Sequence, residues 1–110
     1  MTVAMAVVVG CGSPSTPEPE STGSALEITI SHGSVTPTNA VVQAKVGQPV
    51  TLRVNSDLAD ELHVHSTPDH SFDVEPKPEQ TFEFTPEVPG SVEVELHHLN
   101  RTVASIQVRQ

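Results

Sequence analysis

The stretch Val46–His65 reads VGQPVTLRVNSDLADELHVH. After a Gly47-Gln48-Pro49 turn, Val50, Leu52 and Val54 fall on one side of an extended chain, with Thr51 and Arg53 on the other. Leu62 and Val64 then alternate with His63 and His65. Apolar residues at every second position mark a half-buried β-strand, because successive side chains of a strand point to opposite faces. Two such runs separated by polar and acidic residues predict two strands of one small β domain.

The same period extends in both directions. Leu26, Ile28 and Ile30 share one face of a first strand, and a short strand covers Val41 to Lys45. Downstream, Phe72 and Val74 form a brief strand before the breaker Pro76-Lys77-Pro78. Phe82 and Phe84 alternate with Glu83, and a turn over Pro86 to Gly90 follows. Val92, Val94 and Leu96 then alternate with Glu93 and Glu95, and a last strand points Ile106 and Val108 inward. Nothing repeats at 3.6 residues over three turns, so no amphipathic helix is predicted. Seven to eight short strands separated by Pro/Gly turns predict an all-β sandwich of antiparallel or mixed pairing.

Composition fits that class. At 110 residues the chain has room for one domain and one core. Its only aromatic residues are Phe72, Phe82 and Phe84, so the core must be mostly Val, Leu and Ile. Fourteen acidic against five basic residues give a formal charge of −9. Such a surface repels phosphate, which disfavours nucleic acid and anionic membrane surfaces and leaves cations as better partners.

The single cysteine, Cys11, excludes an intramolecular disulfide and any Cys-pair metal or redox motif. It ends the run MTVAMAVVVGC and precedes GSPSTPEPESTGS. An apolar run, a small residue, cysteine and a polar linker form the pattern of a bacterial lipoprotein signal. The lipobox would be Val8-Val9-Gly10-Cys11, with the lipid on Cys11 anchoring the chain outside the cytoplasm. No Lys or Arg precedes the apolar run, so a basic segment is expected ahead of Met1. The run is too short to span a bilayer, for which about 20 residues are needed. The expected organisation is a signal segment at 1–10, a lipidated cysteine and Pro/Ser/Glu linker at 11–24, and the β domain at 25–110.

Two blocks, read together, resemble the cupredoxin family, the plastocyanin/azurin-like and cytochrome oxidase subunit II-like copper domains. The first is VGQPVTLRVNSD, residues 46–57, continuing through Asp60-Glu61-Leu62-His63; the second is FEFTP, residues 82–86, with PGSVEV, residues 89–94. The resemblance spans about residues 26–109 and implies a Greek-key β-sandwich. It places the family's first copper histidine on His63 and its second on His97 or His98. The family's cysteine falls on Leu96 and its axial methionine near Thr102. A blue-copper site needs a thiolate in a His₂Cys set, and the domain has none, so type 1 copper and electron transfer through it are not expected. The segment is similar to cupredoxin-like domains of bacterial envelope lipoproteins, including those associated with iron uptake, in which the cysteine is lost.

Histidine-only chemistry remains. The strands carrying His63–His65 and Val92–His98 are expected to run toward the same end of the sandwich, bringing His63 near His97 or His98. By alternation His63, His65 and His97 point away from the core, whereas His98 shares the parity of Leu96 and can turn inward. One candidate site is therefore an exposed His63/His65/His97 face, and the other a pocket holding His63 and His98. Neutral imidazoles suit Cu(II), Zn(II) or Ni(II), with copper leading the affinity order. Asp60, Glu61, Asp69 and Glu95 can supply oxygen ligands or orient the imidazoles. His70 is a further candidate ligand, and His32 reads as an ordinary surface residue.

The plain alternative is that these are solvated histidines on a wet sheet face. Glu83, Glu93 and Glu95 alternate with apolar residues and read as that wet face rather than as catalytic carboxylates. No combination of carboxylate, serine and histidine has a spacing that implies an enzyme. Two functions follow as expectations: copper or divalent-metal handling through histidines, or a metal-free module for an envelope partner or metal-uptake complex.

Overall fold

The computed structural model describes residues 23–110, so the expected signal segment, Cys11 and most of the linker lie outside the described residues. The alternating runs become strands β1 (Ser24–Ser31), β2 (Ser34–Thr36), β3 (Ala40–Lys45), β4 (Val50–Ser56) and β5 (Asp60–His65). Strands β6 (His70–Val74), β7 (Gln80–Phe84), β8 (Gly90–Leu96) and β9 (Arg101–Arg109) follow. They form two sheets, of order β2-β1-β4-β7 and β3-β9-β8-β5-β6. Pairing is mixed as expected, with β1·β4 and β3·β9 parallel and the remaining pairs antiparallel.

The apolar side of each alternating run makes the core. Ile28, Leu52 and Val54 of one sheet and Leu62, Val64, Val94 and Ile106 of the other are 0% exposed. Each such side chain contributes about 1.5–3 kcal/mol by leaving water, and Phe84 joins this core at 3% exposure.

The described residues hold nine strands rather than seven or eight. The additional one is β2, three residues long with only Val35 buried, too short to show a period. Its turn is made by His32 and Gly33, whose φ angles of 51° and 78° are both left-handed. Two successive positive φ values match the twist of a tight hairpin, and glycine takes that conformation without strain. His32 is thus a turn residue, its amide donating to Asp57 Oδ2 at 2.9 Å.

Alternation also fails once within a strand. Opposite β8 the register shifts, so that Val94 faces Ala104 while Glu95 faces Thr102. Val103 is the extra residue of a β-bulge, and both Val103 and Ala104 are 0% exposed.

The side of the sandwich between β6 and β7 is closed by aromatic rings. Phe72 stacks on Phe82 with centroids 4.9 Å apart, and His70 lies 5.7 Å from Phe84. The link between these strands is pinned by the buried Gln80 side chain. Its amide nitrogen donates to the carbonyls of Glu75 and Lys77 at 2.7 and 2.8 Å, and its oxygen accepts from Glu75 N–H at 2.8 Å.

Strands β5 and β8 do not run toward the same end. They are antiparallel, with Leu62 opposite Leu96 and His65 opposite Glu93. The start of β5 therefore lies beside the end of β8, and Asp60, not His65, is the residue of β5 nearest the β8–β9 turn.

Candidate functional site

His63 and His65 project from the outer face of β5, the one half-buried and the other exposed. Residues two apart on a strand are separated by about 7 Å along it, yet the two rings lean together to a centroid distance of 4.5 Å. Pairing with β8 sets Glu95 directly opposite His63 and Glu93 opposite His65. Glu95 Oε1 lies 3.1 Å from His65 Nε2, a diagonal contact across the strand pair.

The ladder extends one row further. The His97 amide donates to the Glu61 carbonyl at 2.9 Å, which carries the β5–β8 register just past Leu96. His97 and His98 are both exposed, with rings edge-on at 5.3 Å. Along the outer face the rows therefore read Glu61/His97, His63/Glu95 and His65/Glu93, one imidazole and one carboxylate in each.

Asp60 organises the turn beyond β8. Its side chain is buried, yet it is a carboxylate, and burying a charge requires donors to replace water. Oδ1 accepts from the amides of Glu61 at 2.6 Å and His98 at 2.7 Å, and Oδ2 accepts from Leu99 at 3.1 Å. Short bonds to an ionised acceptor are the strong kind. The turn is completed by Asn100 at φ 56°, a left-handed position that asparagine tolerates.

The structure thus distributes the expected donors into two pairs. His63 and His65 come together, as do His97 and His98. The inward pocket of His63 with His98 does not form, because His98 is exposed and the carboxylate of Asp60 takes its amide. Asp60 is consequently occupied by amides rather than free to serve as a metal ligand. Leu96 faces the core at 1% exposure, while Thr102 is half-buried opposite Glu95. His70 lies against Phe72 and Phe84. Among the described residues, no three or more His, Cys, Asp or Glu side chains already converge on a common metal position.

From the sequence, Asp60 is expected to supply an oxygen ligand or to orient an imidazole, not to anchor a turn. Its role as an anchor depends on amides 38 and 39 residues away. The available signal was an acidic residue at a core-facing position, in phase with Leu62 and Val64.

No family model matches the sequence, and comparison with curated proteins finds no match. Solved structures do resemble the fold. The metal-binding domain of the Streptococcus pneumoniae Cu(I)-exporting P-type ATPase CopA, solved with Cu(I), superposes with a TM-score of 0.58 at 17% identity. That likeness covers 78% of this chain and 85% of the other. An oxidised methionine-to-leucine variant of amicyanin gives a TM-score of 0.53 at 16% identity, covering 82% of this chain and 94% of the other. A Cu(I) methionine-to-alanine variant of amicyanin gives 0.51 at 18% identity, covering 76% and 81%. With its two packed sheets and these likenesses, the chain has a cupredoxin-like fold.

Proposed function

We propose that this domain binds a divalent metal, copper foremost, through surface imidazoles, and that it acts as a lipid-anchored metal-handling module rather than an enzyme. The observation carrying this reading is the pairing of His63 and His65 at 4.5 Å beside the Glu95 carboxylate. Two imidazoles and a carboxylate are a donor set for Cu(II) or Zn(II) and contain no sulfur for Cu(I). Binding would require Glu95 to exchange its contact with His65 for the metal, a rotation open to exposed side chains. The copper content of the CopA domain and amicyanin structures supports copper as the first metal to try.

Cu(II) titration of the full chain, followed by EPR and absorption, tests this reading. Stoichiometric binding that disappears in His63→Ala and His65→Ala supports it. Binding no stronger than that of the double variant sinks it. The anchor is tested separately by incorporation of labelled fatty acid in a bacterial host, which should be lost in Cys11→Ala.

A second reading, a metal-free module for an envelope partner, draws on Asp60. Its carboxylate organises the β8–β9 turn with protein groups alone. It predicts that the His98 and Leu99 amides exchange slowly with solvent in chelator-treated protein. Fast exchange that slows only on adding metal would count against it.

A further inference from the structure

The start of β1, the links after β3 and β7 and the end of β9 meet at one end of the sandwich. The Ser24 amide donates to the Pro49 carbonyl at 3.1 Å, Gly47 to Pro86 at 2.9 Å and Val46 to Arg109 at 2.9 Å. There Lys45 stands directly opposite Arg109 in the parallel β3·β9 pair. Like charges facing each other across a strand pair are unfavourable. Among the described residues neither is in an ion pair, whereas Arg53 and Lys77 are, with Glu27 and Glu75. In a chain with only five basic residues against fourteen acidic ones, two cations are thus left to act together on an anion.

Their surroundings fit one. Lys45 and Arg109 line an open groove of about 270 Å³ with Ser24, Gln43, Ala44 and Gln48, and among the described residues no carboxylate lines it. The Ser24 hydroxyl donates to the Gln43 carbonyl at 2.7 Å, which leaves the two cations and the side-chain amides of Gln43 and Gln48 as donors. The net charge of −9 does not govern this corner. The links 46–49 and 85–89 carry one carboxylate between them, Glu87. On the outer face Glu93 lies three residues, about 10 Å, along β8 from Gly90, which faces Val108. Exposed charges more than about 8 Å apart are largely screened at physiological ionic strength. The link 85–89 also holds Val88, one of two large apolar side chains left exposed among the described residues.

We infer that this end docks on the anionic phospholipid surface of the membrane that carries the anchor, with phosphodiester headgroups at Lys45 and Arg109 and Val88 at the interface. This rests on the proposed lipid at Cys11. Twelve residues separate Cys11 from Ser24, a span of at most about 45 Å. Ser24 lies on the lip of the groove, so the tether holds the groove close to the lipid. Two cations are a weak membrane signal alone, but a tether makes the contact intramolecular, and a basic patch complements a lipid chain in holding a protein to a membrane. Docked this way, the opposite end, with Asp60 and the β8–β9 turn, points away from the membrane.

The full chain, coupled through the Cys11 thiol to maleimide lipid in nanodiscs, tests this without depending on lipidation in a cell. In discs of equal parts phosphatidylglycerol and phosphatidylcholine, spin-labelled headgroups should broaden the amide NMR signals of Lys45, Gln48, Val88 and Arg109 and spare those of Glu61 and His97. High salt should release the domain. Each basic residue near such a surface strengthens contact about fivefold, so Lys45→Gln with Arg109→Gln should lower the ratio of docked to free domain about 25-fold. Both side chains are exposed, and circular dichroism checks that the sheets persist. Equal broadening in discs of phosphatidylcholine alone, broadening centred on another face, or a double variant that docks like the parent overturns the inference. Inorganic phosphate that shifts the groove amides while the discs leave them unbroadened also overturns it, and makes the groove a site for a free anion. The fatty-acid labelling of Cys11→Ala bears on the anchor alone, so the two readings fail separately.

Discussion

Replacing Asp60 offers the sharpest measurement of what holds the β8–β9 turn. Asp60→Ala removes an acceptor for three amides, one local in Glu61 and two long-range in His98 and Leu99. The local amide finds another acceptor or water with little disturbance, so the cost rests on the two long-range bonds. Bonds to a charged group contribute roughly 1.5–3 kcal/mol each, and the lower end suits a turn whose flanking residues are exposed. The expected loss is therefore about 3 kcal/mol. In a domain of this size each kcal/mol shifts Tm by about 4–8 °C, giving a fall of roughly 12–24 °C.

Asp60→Asn keeps the shape and one acceptor oxygen while turning the other into a donor facing an amide. It should lose at least half as much, about 1.5 kcal/mol. Urea unfolding followed by circular dichroism measures both, and adding chelator should change neither. An Asp60→Asn variant within about 0.5 kcal/mol of the parent, the usual range for an inconsequential surface change, would refute the anchoring role.

Three other outcomes follow from the packing. Gln80→Ala strips the buried amide that makes three bonds to Glu75 and Lys77, and should cost about 2–3 kcal/mol in urea unfolding. Limited proteolysis should then cut first within 75–79. Leu96→Cys puts a thiol at the family's cysteine position, but the side chain there faces the core at 1% exposure, opposite Leu62, while His63 faces outward. It should fold, at less than the roughly 2–5 kcal/mol of a Leu→Ala truncation, and show no intense thiolate–Cu(II) absorption; appearance of that band would show the site geometry to be wrong. Arg53→Ala breaks an ion pair with Glu27 at 3.5 Å in which both side chains are more than half exposed. Its effect on Tm should correspond to less than about 1 kcal/mol.

The layers of this fold were legible wherever burial repeats every second residue over three or more turns of the pleat. Leu26, Ile28 and Ile30, then Val50, Leu52 and Val54, point inward as their spacing demands. Three residues cannot establish a period, which is why β2 escaped notice. Val103 and Ala104 point inward together because the bulge depends on the partner strand, and partner identity is not written locally. The same limit governed the site. Strand parity correctly put His63, His65 and His97 away from the core, but the relative direction of β5 and β8 is a tertiary fact. Reversing it moves His65 away from the turn and brings Asp60 to it. His98 followed the amide bond of its backbone rather than strand parity, since parity ends where the strand does.

The pairing of β3 with β9 has a consequence for the order in which the molecule can assemble. Residues 40–45 have no other neighbour in their sheet than residues 104–109, and β9 itself sits between β3 and β8. Strands β8, β5 and β6 can pair without β9, but β3 cannot join the five-stranded sheet until residues 104–109 are available. Closing so long a loop is slow compared with local pairing, and a chain delivered from its N-terminus cannot complete this sheet early.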